Sequence, residues 1–192
     1  MLTRGVASIA SESNEGYRSG LVGLLGRPNV GKSSLVNAMC GHKVSIVSDK
    51  PQTTRHRVMG VLTRPESQLV FVDTPGLHKP VSALGERVNS TALESASDVD
   101  VQCLVLDATR PFGSGDQWVA GRLRRDQLVV VVNKVDIASR DQVIAMLGAS
   151  AALDASAYFP VSAKSGDGLD SLVEYLLEQL PEGPQWFPKD ER

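Results

Sequence analysis

The sequence predicts a three-layer α/β fold, in which a mostly parallel six-stranded sheet carries helices on both faces. Three observations support this. Short Val- and Leu-rich runs of four to six residues recur along the chain, the pattern of strands buried on both faces. Longer amphipathic stretches separate most of them, as crossover helices would. A glycine-rich segment lies directly between the first run and the first amphipathic stretch.

Residues 1–16 hold three Ser and two Glu without hydrophobic periodicity, which predicts disorder. The folded part is expected over 17–181. Its strands are predicted at Leu21–Leu25, Val58–Leu62, Leu69–Val72, Val101–Leu106, Leu128–Val132 and Tyr158–Val161. Helices are predicted at Ser33–Cys40, Leu84–Ser97, Asp116–Arg125 and Ser139–Leu147, the last opened by the capping-box pair Ser139 and Gln142. A final helix follows from Leu169, Leu172, Val173, Leu176, Leu177 and Leu180, one apolar face that Pro181 stops. Residues 182–192 continue a proline-punctuated stretch and read as the start of a linker, with Trp186 loose within it.

Composition narrows the class. The chain has 192 residues, a formal net charge of −2 and 42% hydrophobic residues, values of a folded globular domain. No apolar run approaches the ~18 residues of a membrane helix, and the first 15 residues lack the apolar core of a signal peptide. Cys40 and Cys103 are too few for a disulfide framework and lie in apolar stretches, so they read as small buried hydrophobes. These features predict a cytoplasmic protein. Near-neutral charge gives no global nucleic-acid signature.

Four motifs carry the chemistry. Gly26-Arg27-Pro28-Asn29-Val30-Gly31-Lys32-Ser33 matches G-x-x-x-x-G-K-[ST] between a strand and a helix. Its glycines let successive backbone N–H groups converge on an anion, and the helix dipole adds to them. Lys32 would reach the outer phosphates, the Ser33 hydroxyl would hold Mg²⁺, and Ser34 continues the loop. Asp73-Thr74-Pro75-Gly76 closes the third strand, 41 residues after Lys32. A carboxylate there can hold Mg²⁺ through water, and the Gly76 N–H can meet a terminal phosphate. Asn133-Lys134-Val135-Asp136 follows the fifth strand. Asp136 can accept from guanine N1–H and the 2-amino group, whereas adenine would leave it unpaired. Lys134 can cover a base face and Asn133 can pin neighbouring loops. Ser162-Ala163-Lys164 would offer a backbone N–H to the guanine oxygen.

Together these motifs resemble the translation-factor-related GTPases. The stretches YRSGLVGLLGRPNVGKSSLVNAMCGHKVSIVS, KPQTTRHRVMGV, VFVDTPGLHKP, ALGERVN and LPEGPQWFPKD resemble the bacterial Era GTPases, over about Tyr17 to Asp190. The resemblance implies a cytosolic switch that binds GTP and GDP with Mg²⁺ and acts in small (30S) ribosomal subunit assembly and rRNA maturation. It implies a monomer, contact with rRNA mainly through a C-terminal KH domain, and association with the membrane periphery. No GXXG loop follows Pro181, so the chain reads as the GTPase domain cut where the linker begins. The resemblance also places switch one at Pro51–Arg55, with Thr54 as Mg²⁺ ligand and Thr53 as the alternative.

Leu77 stands where Ras-like GTPases carry the Gln that orients the attacking water, so unaided hydrolysis is expected to be slow. Asn29 marks relatives that bind K⁺ beside the phosphates, and the resemblance extends that cofactor here. Catalytic candidates are therefore Asn29, Lys32, Thr54 and Gly76. Two other readings stand beside this one: a switch that hydrolyses GTP only with a partner, and the GTPase domain of a tRNA-modifying or Der-type relative. Lys43, Lys50, Arg55, His56, Arg57 and Arg64 crowd the switch-one region, where either RNA or solvent can face them. His42, His56 and His78 read as surface residues.

Overall fold

The computed structural model describes residues 16–41, 57–73 and 98–188. Six strands form one sheet: β1 (Arg18–Leu25), β2 (Arg57–Arg64), β3 (Ser67–Asp73), β4 (Val101–Asp107), β5 (Leu128–Asn133) and β6 (Ala157–Pro160). Their spatial order is β2-β3-β1-β4-β5-β6. Every pairing is parallel except β2 with β3, a hairpin whose register shifts between Val58 and Gly60. All six expected strands and the mostly parallel arrangement are present.

Four helices are described: α1 (Lys32–Cys40), α2 (Ser114–Ala120), α3 (Arg140–Ser150) and α4 (Leu169–Glu178). Alternation along the strands assigns them to faces. On β4, Cys103 and Val105 point to a core shared with Leu35 and Val36 of α1 and Leu172 and Leu176 of α4. Leu104 and Leu106 point the other way, to Val119 of α2 and Met146 of α3. Both faces of the central strands are thus covered, which is why they read as continuous apolar runs. Each fully buried Leu or Val contributes up to about 1.5–3 kcal/mol. Cys103 lies inside the first core, and burial pushes its thiol up to about 12; burial pushes that of half-buried Cys40 up to about 11.

The bounds of α2 and α3 differ from expectation. The helix expected at Asp116–Arg125 spans Ser114–Ala120. Asp116 sits in its first turn, and Oδ2 accepts from the Gly113 N–H at 3.0 Å, so the helix begins two residues earlier. It ends at Gly121 because Leu123 turns inward and the Arg124 N–H is captured by Gln102 Oε1 at 2.8 Å. The capping box before α3 forms as expected: Ser139 Oγ accepts from the Gln142 N–H at 3.2 Å, and Gln142 Oε1 from the Ser139 N–H at 2.8 Å. That helix runs on to Ser150.

Pro181–Pro188, expected to open a linker, is docked against the sheet. The Ser19 N–H donates to Pro181 O at 3.1 Å, and Ser19 Oγ donates to Pro184 O at 2.7 Å. Gln68, fully buried in β3, clamps the next turn: Oε1 accepts from the Trp186 and Phe187 N–H groups, each at 3.0 Å, and Nε2 donates to Phe187 O at 2.9 Å. Phe187 fills an apolar patch with Leu21, Val70, Val72 and Val99, and half-buried Trp186 packs beside it. Burial of two aromatics outweighs the proline-rich composition that suggested a loose chain.

The expected disorder at 1–15, the helix at Leu84–Ser97, switch one and the segment Thr74–Pro80 lie outside the described residues. No helix among the described residues is long and apolar enough to cross a membrane.

Candidate nucleotide-binding site

In this strand order, β1 has β3 on one side and β4 on the other, so the connections leave in opposite directions from the carboxyl edge of β1. Such a switch point opens a crevice at the strand ends. The segment Gly26–Gly31 fills it. Gly26 has φ 148° and Gly31 φ 101°, both closed to residues with a side chain. A Cβ at Gly26 would also lie 2.5 Å from Val105 O, and one at Gly31 would collide with the Asn133 amide. Asn29 takes φ 64°, a left-handed position that Asn tolerates.

Helix α1 starts at Lys32 with Gly31 as its N-cap, without a side-chain cap and without an acidic residue in its first turn. The N–H groups of its first turn and its positive dipole end face the crevice, and the residue that opens it is a cation. Lys32 Nζ donates to Gly26 O at 3.0 Å and to Arg27 O at 3.1 Å, so the ammonium is held at the loop. The Ser33 and Ser34 side chains are exposed beside it.

Asp73 is the last residue of β3. Its backbone is in register with Leu24, two residues before Gly26, on one side and with Arg57 on the other. Thr54, Thr74, Pro75, Gly76 and Leu77 lie outside the described residues, as does the alternative ligand Thr53.

The base-side residues converge. Asn133, at the carboxyl end of β5, is 2% exposed. Its Nδ2 donates to Val30 O at 3.0 Å and its Oδ1 accepts from the Ala163 N–H at 3.1 Å. One side chain thus joins the glycine-rich loop to the loop after β6. Asp136 Oδ1 accepts from Ser162 Oγ at 2.7 Å, and Ser162 Oγ in turn accepts from the N–H groups of Lys164 and Ser165, at 3.2 and 3.0 Å. Asp136 itself is exposed. An open depression of about 470 Å³ is lined by Gly31, Ser34, Asn133, Lys134, Asp136, Ile137, Ala163 and Lys164. It lies beside the start of α1, where a base attached to loop-bound phosphates would fall. Of the Ser162–Lys164 segment, expected to offer a backbone N–H to a guanine oxygen, the Ala163 N–H donates to Asn133 Oδ1 and the Lys164 N–H to Ser162 Oγ.

One residue of the site was missed by sequence reasoning. Asp107 closes β4 and is 8% exposed. Its Oδ2 accepts from Lys134 Nζ at 2.6 Å, and Lys134 Nζ also donates to Asn29 O at 2.8 Å. Burial alone would raise this carboxyl; the hydrogen bonds from Lys134 and from Thr109 outweigh it and hold it below the usual carboxylate value. The signal in the sequence was its place at the end of a buried strand, the same kind of position that singled out Asp73.

Comparison with known proteins agrees with this geometry. The family model described as "50S ribosome-binding GTPase" matches residues 21–134. GTPase Era of Corynebacterium diphtheriae is 40% identical over 186 residues, covering 94% of this chain and 61% of that protein. GTPase Era of Mycobacterium sp. (strain KMS) is 46% identical over 182 residues, covering 91% of this chain and 60% of that protein. The chain thus spans about three-fifths of the length of these curated relatives. Among solved structures, Era in complex with MgGDPNP and nucleotides 1506–1542 of 16S ribosomal RNA superposes with a TM-score of 0.76 at 36% identity, covering 91% of this chain and 61% of that one. An Aquifex aeolicus Era variant bound to GDP·AlF4⁻ gives a TM-score of 0.75 at 36% identity, with the same coverage. The chain belongs to the 50S ribosome-binding GTPase family and is similar to the Era GTPases in sequence, strand order and glycine-rich loop.

Proposed function

We propose that this chain binds GTP and GDP, hydrolyses GTP slowly to GDP and phosphate, and acts as a switch in assembly of the small ribosomal subunit and maturation of its rRNA. The observation that carries this reading is the convergence of Asn133, Asp136, Ser162 and Ala163 with the uncapped start of α1 around one depression.

Guanine selection follows from donors and acceptors. Asp136, oriented by the Ser162 hydroxyl, accepts from the base N1–H and amino group. Lys134 and Ile137 line the walls that a planar base would contact. The N–H groups of Asn29 to Ser34 and the Lys32 ammonium supply positive potential for the phosphates. That potential stabilises charge as the terminal phosphoryl leaves for water.

The residues present fit a divalent cation at the phosphates: an exposed Ser33 hydroxyl at the helix start, with Asp73 at the adjacent strand end. Ser33, Asp73 and Thr54 would hold Mg²⁺, which neutralises phosphate oxygens when bound. Asn29, exposed with φ 64°, is proposed for the K⁺ role that the family resemblance implies. Thr74, Pro75 and Gly76 are proposed as the segment that senses the terminal phosphate.

Contact with 16S rRNA is proposed from the Era complex, whose chain extends beyond the part matched here. Cytoplasmic location, a monomeric state and membrane-periphery association are proposed from the family. A second reading is favoured by Leu77: with no water-orienting Gln there, the chain binds GTP and hydrolyses it only when a partner completes the site.

The test is GDP and GTP binding, then GTP turnover with Mg²⁺ in KCl and in NaCl, beside Asn29→Ala. Binding with faster turnover in KCl, lost in the variant, supports a K⁺-assisted enzyme. Binding with no turnover in either salt supports the partner-dependent switch. Absence of guanine-nucleotide binding overturns both.

A further inference from the structure

We propose that Asp107 is a positioning residue for nucleotide retention: its carboxylate fixes Lys134 and, through it, ties the base-side loop to the glycine-rich loop. This rests on the nucleotide reading above and assigns a role to a residue outside the four motifs.

The carboxylate is fully engaged. Oδ1 accepts from Thr109 Oγ1 at 2.6 Å and from the Thr109 N–H at 3.0 Å, and Oδ2 accepts from Lys134 Nζ at 2.6 Å. The same ammonium donates to Asn29 O at 2.8 Å. Lys134 has φ 70° and Asn29 φ 64°. A left-handed backbone at a non-glycine residue persists where its surroundings over-determine it. Here the two left-handed residues, one on each loop, share one ammonium, and Asp107 neutralises it. The Ala108 N–H donates to Asn133 O at 2.9 Å, so the end of β4 also holds the backbone of that loop.

A lysine head free in solvent keeps most of its rotamer entropy and loses it when its stem covers a base. A head already fixed by Asp107 has lost it before nucleotide arrives, and such preorganisation appears mainly in the dissociation rate. The sign of the effect separates this role from simple electrostatics. As a bare negative charge near a polyphosphate, Asp107 would weaken binding, and neutralising it would tighten the complex. As a positioning residue, neutralising it loosens the complex. One charge-assisted hydrogen bond at this burial corresponds to about tenfold.

The test is stopped-flow release of a fluorescent GDP analogue from the 192-residue chain, Asp107→Asn, Lys134→Met and the double variant, with thermal melting of each. Release from Asp107→Asn is expected to be about tenfold faster than from the parent. In the Lys134→Met background the same substitution should add less than about twofold, the mark of a shared interaction rather than general destabilisation. Unchanged or slower release from Asp107→Asn, or a full tenfold effect repeated without Lys134, overturns the proposal. Should Asp107→Asn not fold, Thr109→Val removes one bond that orients the carboxylate; release about two- to threefold faster supports the role, and unchanged release overturns it. If the parent chain binds no GDP analogue, the nucleotide reading itself fails, a result distinct from any of these.

Discussion

Replacing Asn133 by Ala should separate the two loops that make the site. The side chain is 2% exposed and makes two hydrogen bonds, to Val30 O and from the Ala163 N–H. Alanine reaches neither. Each backbone group left without a partner costs about 1–3 kcal/mol where water cannot replace the bond. Val30 is itself buried, so its carbonyl carries much of that cost, whereas Ala163 borders the open depression and its N–H can rehydrate. A sum of about 3 kcal/mol follows. In a domain of this length that lowers the melting temperature by roughly 6–12 °C and leaves it folded at 25 °C. Affinity should fall further than stability, because the same change frees the glycine-rich loop and the Ser162–Lys164 loop together. Scanning calorimetry without nucleotide, paired with GDP titration, measures both. A melting shift under about 2 °C with GDP affinity intact would refute the claim that Asn133 couples the loops.

Asp136→Asn presents an N–H donor where guanine needs acceptors, so GDP affinity should fall at least about 100-fold while a base with a carbonyl at position 2, xanthine, gains; competition between GDP and XDP reads this. Gln68→Leu keeps the volume of β3 but leaves the Trp186 and Phe187 N–H groups unmet; a loss of about 3 kcal/mol and faster proteolytic cleavage after Leu180 are expected, with GDP binding unchanged. The Asp107 carboxyl lies below its ordinary value of 3.8 in the folded chain, so its stabilising contribution is complete above that value and is lost as pH falls through the folded one. Melting curves of the parent and Asp107→Asn should therefore keep a constant separation from pH 5 to 8 and converge only in stronger acid.

The central strands were legible because strands buried on both faces must be continuously apolar, as Leu128–Val132 is. The helix α4 was legible from a 3.6-residue repeat, and α3 from a capping pair whose two hydrogen bonds are local. The start of α2 was placed late because Asp116 reaches back to Gly113, and its end was placed late because Gln102, distant in sequence, captures the Arg124 N–H. The tail was misjudged for the same reason. Its prolines are local information, while the clamp is Gln68, more than a hundred residues away.

The site divides along the same line. Residue types and spacing by themselves marked out the proposed phosphate loop, Asp73 as the proposed metal arm and Asp136 as the proposed base-selecting residue, since each motif lies at a strand end and would act through its own backbone or one short side chain. What only the tertiary structure decided is how these pieces hold each other. Asn133 reaches Val30 and Ala163, and Asp107 reaches Lys134 and through it Asn29. Those partners are brought together by parallel strands that crossovers separate in sequence, so their pairing exists only once the sheet has formed.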